Sequence, residues 1–223
     1  MVPLLLLSGF ETKVAIGISI VQMVFSSIFG SYLNAKKGTL DISMVLTIGI
    51  GGFIGAFFSG YVASFLSSSV LEVLFFCFVL FALSRLFFHT PQAHTKTKEV
   101  SKVVLLLLGV VIGLFSMLIG VGGSVMLVPI LVGFLHFPLK NATSAGLFFV
   151  VFSSISGLIS HMMQGHIDFY SGVIVGVASL FGVYGGIWLK HKLSDNVAKR
   201  LLLFFYLCVI VYLFYRIFFL STP

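Results

Sequence analysis

Charged side chains are scarce in this sequence. Asp, Glu, Lys and Arg together make up 9% of the 223 residues, whereas a soluble domain needs about a quarter to cover its surface. Hydrophobic residues make up 59%, so a soluble globular protein is excluded and lipid is the expected solvent. The two cysteines, Cys77 and Cys208, each lie inside an apolar run, and no disulfide framework is therefore expected.

The apolar runs also lack the alternation of apolar and polar residues that the strands of a membrane barrel show. They are continuous and approach ~20 residues, as in Ile42–Phe65. The sequence therefore predicts an all-α polytopic protein that crosses the plasma or inner membrane of a bacterium several times. The net charge of +7 does not indicate a nucleic-acid partner, because the Lys and Arg residues lie mostly between apolar segments, where the positive-inside bias places them.

The chain contains a duplication. A shift of 127 residues superposes Phe10–Phe87 on Phe137–Phe214 with 21 identities over 78 positions. The matches include Phe25-Ser26-Ser27-Ile28-x-Gly30 on Phe152-Ser153-Ser154-Ile155-x-Gly157. Two related membrane repeats, residues 1–90 and residues 103–223, are therefore predicted, with a basic cytoplasmic linker at residues 91–102 between them.

Each repeat contains three runs long enough to cross ~30 Å of hydrocarbon as a helix. The six predicted spans are Val14–Leu33, Ile42–Phe65, Val70–Phe88, Asn141–His161, Phe169–Leu189 and Val197–Phe219. Ahead of the second trio lies a longer apolar stretch, Val103–Leu135, which is interrupted by the glycines of residues 120–124. Its counterpart in the first repeat is only Met1–Ser8.

The placement of the cations selects a topology. If Val103–Leu135 crossed the membrane once, seven basic residues would lie on one face and six on the other, against the usual bias. If it enters and returns as a re-entrant hairpin broken at the glycines, eleven share one face and only Lys13 and Arg216 oppose them. The hairpin therefore predicts two inverted repeats, which are typical of transporters whose site lies at the repeat interface near the bilayer midplane.

The glycine tip of the predicted hairpin is the first candidate for a binding site. Its members are Gly120, Gly122, Gly123 and Ser124. Non-helical backbone at membrane depth must line a cavity or be buried in protein, and the free N–H groups of a helix N-terminus favour an anion. The alternative is that these glycines only permit close packing of helices.

Four motifs follow one another in the second repeat. They are Gly120-Val-Gly-Gly-Ser-Val-Met-Leu-Val-Pro129, Lys140-Asn-Ala-Thr-Ser144, His161-x-x-x-Gly165-x-Ile-Asp168, and the helix with Gly176 and Gly182. With them the chain resembles, over its whole length and in duplicate, the TauE/SafE family of sulfite exporters, also called the toluene-sulfonate uptake permease family. The resemblance implies a membrane transporter without catalytic chemistry that moves sulfite, thiosulfate or organic sulfonates, and no cofactor is expected.

The sequence departs from the family pattern at its N-terminus. The pattern begins with a glycine-rich broken helix of its own, whereas this sequence begins after it, at Met1 just before Pro3. An eight-residue apolar stretch cannot span a membrane. We therefore expect the first broken helix to be truncated and the first half of the site to be incomplete.

Polar side chains near the tip are further candidates for substrate binding. Hydroxyls inside the apolar spans belong to Thr143, Ser144, Ser153, Ser154, Ser26 and Ser27. They either donate to an oxyanion or bond back to the carbonyls of the preceding turn. Lys140, with Lys13 at the duplicated position, either draws anions toward the pore or anchors its helix at the membrane interface.

The remaining polar residues have simpler interpretations. His161, His166 and Asp168 do not have a recognised zinc spacing. Asp41 and Asp168 each open a predicted helix, where N-capping explains a carboxylate. Glu72 lies two residues into its span, and we expect it at the membrane interface.

The sequence thus predicts a secondary transporter of a small sulfur-containing or organic anion, with a coupling proton or ion as a possible further partner. Two alternatives stay open at this point. One is a non-transporting membrane scaffold, and the other is an intramembrane enzyme that uses His161, His166 and Asp168. The sequence does not determine the substrate, the direction of transport, the coupling ion or the oligomeric state.

Overall fold

The computed structural model describes residues 1–35, 42–88, 101–133, 139–165, 167–192 and 195–215. Within these ranges every regular element is an α-helix. The helices are α1 (Val2–Leu7), α2 (Thr12–Ala35), α3 (Ile42–Phe57), α4 (Ser59–Phe65), α5 (Ser68–Phe88), α6 (Lys102–Ile119), α7 (Ser124–Gly133), α8 (Leu139–Met163), α9 (Phe169–Lys192) and α10 (Asp195–Tyr215).

Five stretches of the described residues are long and apolar enough to cross a membrane. They are Thr12–Asn34, Val45–Phe65, Lys102–Ile119, Asn141–Met163 and Phe169–Leu189. Ser68–Phe81 within α5 is a shorter apolar helix. The predicted all-α, multi-pass membrane protein is therefore confirmed. The inversion of the repeats and the re-entrant course of Val103–Leu135 stay predictions.

The predicted span Ile42–Phe65 contains a break that the sequence analysis did not foresee. The first helix ends at Phe57 and the next begins at Ser59. The hydroxyl of Ser59 donates to the carbonyl oxygen of Ala56 at 2.6 Å, and the backbone N–H of Gly60 donates to Ser160 Oγ at 2.9 Å. Bonds to α8 and to the preceding turn thus satisfy polar groups at the break, as membrane depth requires.

The two repeats pack into one another rather than side by side. Helix α2 packs against α8 and α9, and α3 packs against α8 and α6. A Cβ added to Gly176 would lie 2.7 Å from Cδ2 of Phe25, and one added to Gly49 would lie 2.9 Å from Cδ2 of Phe152. Phe25 and Phe152 occupy duplicated positions, and so do Gly49 and Gly176. Each repeat therefore places its phenylalanine against the glycine of the other.

Glycines bring α3 and α6 into backbone contact. A Cβ at Gly55 would overlap the carbonyl oxygen of Val110, and one at Gly113 would lie 2.7 Å from Cα of Gly52. With Gly51 and Gly109 these residues form two Gly-x-x-x-Gly faces, the usual means of close approach between membrane helices. Gly182 of α9, the duplicate of Gly55, has no such neighbour within 4 Å.

Candidate binding site at the glycine turn

The C-terminus of α6 is closed by a Schellman motif. Gly120 has the left-handed conformation, with φ of 69° and ψ of 32°, which suits a residue without a Cβ. Its N–H donates to the carbonyl of Met117 at 3.3 Å, and the N–H of Val121 donates to that of Ser116 at 3.1 Å. Both bonds satisfy carbonyls that the helix end would otherwise leave free.

The next helix begins within three residues. Gly122 also has a positive φ, of 78°. The N–H of Leu127 donates to the carbonyl of Gly123 at 2.8 Å, so α7 starts at Ser124. The N–H groups of Val125 and Met126 donate to the carbonyls of Gly122 and Gly123 at 3.4 and 3.2 Å, and the positive end of the helix dipole lies there. The predicted helix break is confirmed, and the start of α7 faces the interior of the bundle.

The glycine turn, residues 120–124, is inserted between α2 and α8. A Cβ at Gly122 would lie 2.9 Å from Sδ of Met23, and a Cβ at Gly123 would overlap the ring of Phe149. Met23 and Phe149 each lie near the middle of their helix. The turn therefore reaches the central part of the interface between the repeats, which is where an inverted-repeat transporter has its site.

Ser19 connects the glycine turn to the first repeat. Its hydroxyl donates to the carbonyl oxygen of Gly120 at 2.8 Å, and the side chain is buried. The sequence analysis did not select this residue. The signal was its place on one face of α2 with Thr12, Ile16 and Met23, all of which are buried.

A cavity of about 160 Å³ adjoins the turn. It is lined from the first repeat by Ser19, Gln22, Phe75 and Val79, and from the second by Val121 and Val209, among others. The polar groups of the lining residues belong to Ser19, Gln22, the backbone of Gly120 and the amino terminus of Met1, and the other lining side chains are apolar. The cavity thus lies between the two repeats, and both contribute to its wall.

The predicted serines turn toward their own helices. Ser26 and Ser27 donate to the carbonyls of Met23 and Val24 at 3.2 and 3.4 Å. Ser153 donates to the carbonyl of Phe149 at 3.1 Å. Ser154 donates to that of Val151 at 3.4 Å. This is the back-bonded alternative left open by the sequence, and none of the four lines the cavity.

The other predicted site residues lie on α8 and α7. Thr143 is half-buried and Ser144 is buried, both in the first turns of α8. Ser124 packs against α8, where a Cβ at Gly146 would lie 3.0 Å from its own Cβ. Lys140 follows the first residue of α8, but its side chain lies outside the described part of the structure. The hydroxyls of Thr143 and Ser144 are thus on the helix that holds the turn, away from the cavity wall.

Two acidic side chains have distinct environments. Asp168 caps α9: hydrogen bonds from the hydroxyl and the N–H of Ser171, at 2.7 and 3.2 Å, lower the pKa of its carboxyl group. The N-cap prediction is confirmed for Asp168, whereas Asp41 lies outside the described residues. Glu72, whose position at the membrane interface stays a prediction, lies against the start of α2. It is buried, and the hydroxyl of Thr12 donates to its Oε1 at 2.6 Å.

The described residues contain no group of three His, Cys, Asp or Glu side chains that could hold a metal ion. His161 is buried in α8 beside the break between α3 and α4, where a Cβ at Gly60 would lie 2.7 Å from its backbone nitrogen. His166 lies outside the described part of the chain. Lys13 anchors the start of α2, since its Nζ donates to the carbonyl of Ser64 at 3.3 Å.

The sequence matches a known family over most of its length. The profile of the sulfite exporter TauE/SafE family matches residues 1–213. The chain belongs to this family. Membership in a family of transporters also indicates a transporter rather than an enzyme for this TauE/SafE chain.

Curated relatives of the TauE/SafE chain carry the name probable membrane transporter protein. One from Methanocaldococcus jannaschii is 26% identical over 203 residues, which cover 85% of this chain and 74% of the relative. YunE of Bacillus subtilis is 24% identical over 221 residues, which cover 90% of this chain and 81% of the relative. YdhB of the same organism is 24% identical over 201 residues, or 88% and 82%. No solved structure matches the chain significantly. Family and relatives together identify a membrane transporter.

Proposed function

We propose that this TauE/SafE chain is a secondary transporter of small sulfur-containing or organic anions such as sulfite, thiosulfate or sulfonates. The observation that carries the proposal is the position of the glycine turn. Non-helical backbone lies between the middles of α2 and α8, next to a cavity that both repeats line. Irregular backbone at such depth is tolerated where it lines a cavity, and in transporters it marks the substrate site.

The groups around the cavity suit a weakly held anion. The amide of Gln22 is a neutral donor, Met1 brings the amino terminus to the wall, and the positive end of the α7 dipole adds a partial positive charge. Gly120, Gly122, Gly123 and Ser124 form the centre of the proposed site.

Residues at the start of α8 extend the proposal. Lys140, Thr143 and Ser144 follow the hairpin closely in the chain and belong to the same helix that supports the glycine turn. We assign them to the approach of the anion toward the turn. Ser26, Ser27, Ser153 and Ser154 would take part only if their hydroxyls exchanged a backbone carbonyl for the anion during transport.

The test is flux through the purified protein in proteoliposomes, measured with radiolabelled sulfite, thiosulfate and an organic sulfonate. We expect Gly123→Val to abolish flux while leaving membrane insertion intact, because its Cβ would overlap the ring of buried Phe149. Gly182→Val is the matched control, since the space beside Gly182 is open, and flux through it should persist.

Two outcomes would contradict the proposal. Undiminished flux in Gly123→Val would remove the glycine turn from the pathway. Absence of flux for all three anions through the folded wild-type protein would overturn anion transport itself and favour a non-transporting scaffold.

A further inference from the structure

The cavity beside the glycine turn contains few hydrogen-bond donors that a ligand could use. Ser19 and Gln22 are the polar side chains of its wall. The hydroxyl of Ser19 donates to the carbonyl oxygen of Gly120 at 2.8 Å, so its proton is already used. The backbone N–H groups of Gly120 and Val121 donate to carbonyls of α6, and that of Val125 donates to a carbonyl of the turn. The turn therefore contributes its helix dipole to the cavity rather than free N–H groups.

The side-chain amide of Gln22 is uncommitted. It makes no hydrogen bond to any group of the described residues. Gln22 follows Ser19 by three residues on α2, so the two share a helix face, and its side chain is half-buried in the cavity wall. The amino terminus of Met1 is the other donor in the wall, and burial lowers its pKa because desolvation disfavours the charged amine. Gln22 is thus the donor that does not depend on a protonation state.

The duplication shows that the amide is a feature of the cavity rather than of the repeated fold. The residue that matches Gln22 in the second repeat is Phe149. The ring of Phe149 is fully buried, and a Cβ added to Gly123 or to Gly52 would overlap it. The second repeat therefore fills this place with an aromatic ring, whereas the first repeat presents an amide to the cavity.

The rest of the cavity wall is apolar. It includes Phe75 and Val79 of α5, Val209 of α10, and Val121 and Val125 beside the turn. Such a surface gains free energy when it covers carbon, but it offers no hydrogen bond to an oxyanion. Sulfite and thiosulfate would exchange most of their hydration for a few hydrogen bonds there. A small organic anion needs donors at one end only, and its carbon atoms suit the wall.

The volume of the cavity limits the size of the carbon skeleton. The volume is about 160 Å³, and a cavity of about 150 Å³ is known to hold benzene. Ethanesulfonate has as many non-hydrogen atoms as benzene, and propanesulfonate has one more. The cavity therefore suits an anion with about two to three carbon atoms.

We propose that the cavity selects small organic anions over inorganic ones, with the amide of Gln22 binding the oxyanion group and the apolar wall binding the carbon skeleton. The inference rests on the proposed anion transport and narrows its substrate. Each CH₂ group that enters the wall should tighten binding about fourfold. The hydrogen bond from Gln22 to a charged oxygen should tighten it by a further factor of about 10 to 100.

The experiment measures dissociation constants by calorimetry for the purified protein in lipid nanodiscs. The ligands are sulfite, thiosulfate and straight-chain alkanesulfonates. We expect affinity to rise about fourfold per CH₂ group from methanesulfonate to propanesulfonate and to rise no further with hexanesulfonate, because the cavity is then full. Propanesulfonate should also bind more tightly than sulfite and thiosulfate. This series needs no substitution, so it does not depend on the folding of a variant.

Substitutions separate the roles of the amide and the wall. Gln22→Leu, which removes the amide and keeps a side chain of similar size, should weaken binding of every alkanesulfonate by a factor of about 10 to 100 and leave the gain per CH₂ group unchanged. Val209→Thr, which keeps the shape of the side chain and adds a hydroxyl to the wall, should reduce that gain. Gln164→Leu is the matched control, because Gln164 follows α8 and does not line the cavity, and it should bind as the wild type does.

Three outcomes would count against these expectations. Wild-type affinity in Gln22→Leu would overturn the role of Gln22. Affinity that does not change with chain length, or sulfite or thiosulfate bound more tightly than propanesulfonate, would overturn the selection of organic anions while leaving anion transport standing. Failure of the folded wild-type protein to bind or transport any of the anions would instead overturn the proposed function, and the selectivity with it.

Discussion

Ser19 holds the glycine turn by a single neutral hydrogen bond. The bond joins the first repeat to the second, because its donor is on α2 and its acceptor is the carbonyl of Gly120 at the end of α6. Gly120 is left-handed there and its N–H is already committed to Met117. The position of the turn between α2 and α8 therefore depends on the Ser19 hydroxyl as well as on packing.

Replacing Ser19 by Ala should destabilise the protein by about 1 kcal/mol, since a buried carbonyl loses its partner in a low-dielectric surrounding. Ser26→Ala is the control, because its hydroxyl bonds only to its own helix and its removal should cost little. Reversible unfolding in mixed micelles measures both free energies. Equal free energies of unfolding for the two variants would show that the Ser19 bond contributes nothing to the fold.

Side-chain roles were harder to predict than side-chain types. Hydroxyl groups inside apolar spans are candidates for ligand binding, and on that ground the sequence analysis selected Ser26, Ser27, Ser153 and Ser154. In the structure these hydroxyls donate hydrogen bonds to backbone carbonyls of the preceding turn. It overlooked Ser19 and Gln22, which line the cavity. Which way a serine points depends on the helix face, and a helix that is apolar all round carries little periodicity to reveal it.

At the scale of helices, the duplicated glycines have opposite environments. Gly55 lies against the backbone of α6, whereas Gly182, at the same position of the other repeat, is in open space. Substituting Ala at each of the two positions therefore separates two effects of a glycine, namely close packing against another helix and low helix propensity. No other change in the chain is needed for the comparison.

We expect Gly55→Ala to destabilise the protein by about 1–3 kcal/mol, because its methyl group would push α3 away from α6. Gly182→Ala should leave stability unchanged or raise it by up to about 1 kcal/mol, since Ala favours a helix more than Gly does. Chemical unfolding of both variants by circular dichroism gives the two values. Equal destabilisation by both would refute the close contact of α3 and α6.

Helix positions were largely predictable because continuous hydrophobic runs determine them. Val14–Leu33 and Asn141–His161 lie inside α2 and α8, and the glycines of residues 120–124 separate α6 from α7 as expected. The break at Phe58 was missed. No proline marks the break in the sequence. One of its stabilising hydrogen bonds is accepted by Ser160, which is 100 residues away in the chain, and a local sequence pattern cannot show such a bond.

At the scale of the whole molecule, the orientation of the repeats in the membrane is the open prediction. Eleven of the 13 basic residues share one face if Val103–Leu135 is re-entrant, and α6 alone is long enough to cross. A re-entrant path and a single crossing of Val103–Leu135 place the loops of the second repeat on opposite faces of the membrane. Accessibility to a membrane-impermeant reagent distinguishes them.

The labelling test uses a background in which Cys77 and Cys208 are replaced by Ser. In it, Lys37→Cys and Lys192→Cys should each react with an impermeant maleimide from the cytoplasmic side only. The reason is the positive-inside bias, which places both positions on the cation-rich face. Lys37 lies outside the described residues, so labelling is the direct measurement there. Reaction of the two positions from opposite faces would restore a single crossing.

The all-helical membrane architecture was predictable from composition, because only lipid can solvate so apolar a surface. The way the repeats interlock was not. Superposing the halves of the sequence shows that Phe25 matches Phe152, but not that each ring packs against the glycine of the other half. Long-range pairing of this kind is a property of the folded chain and leaves no local signal.

The two equivalent contacts, Phe25 with Gly176 and Phe152 with Gly49, have a consequence for how the two halves of the sequence can diverge. Two copies of one half, associated symmetrically, would make the same contact twice, and the chain contains this doubled contact. In a single chain the residues of one contact can be substituted without any change in the other contact. A larger residue at position 176 then selects for a smaller one at position 25, and leaves positions 49 and 152 unconstrained. Divergence should therefore proceed by compensating pairs that cross the halves.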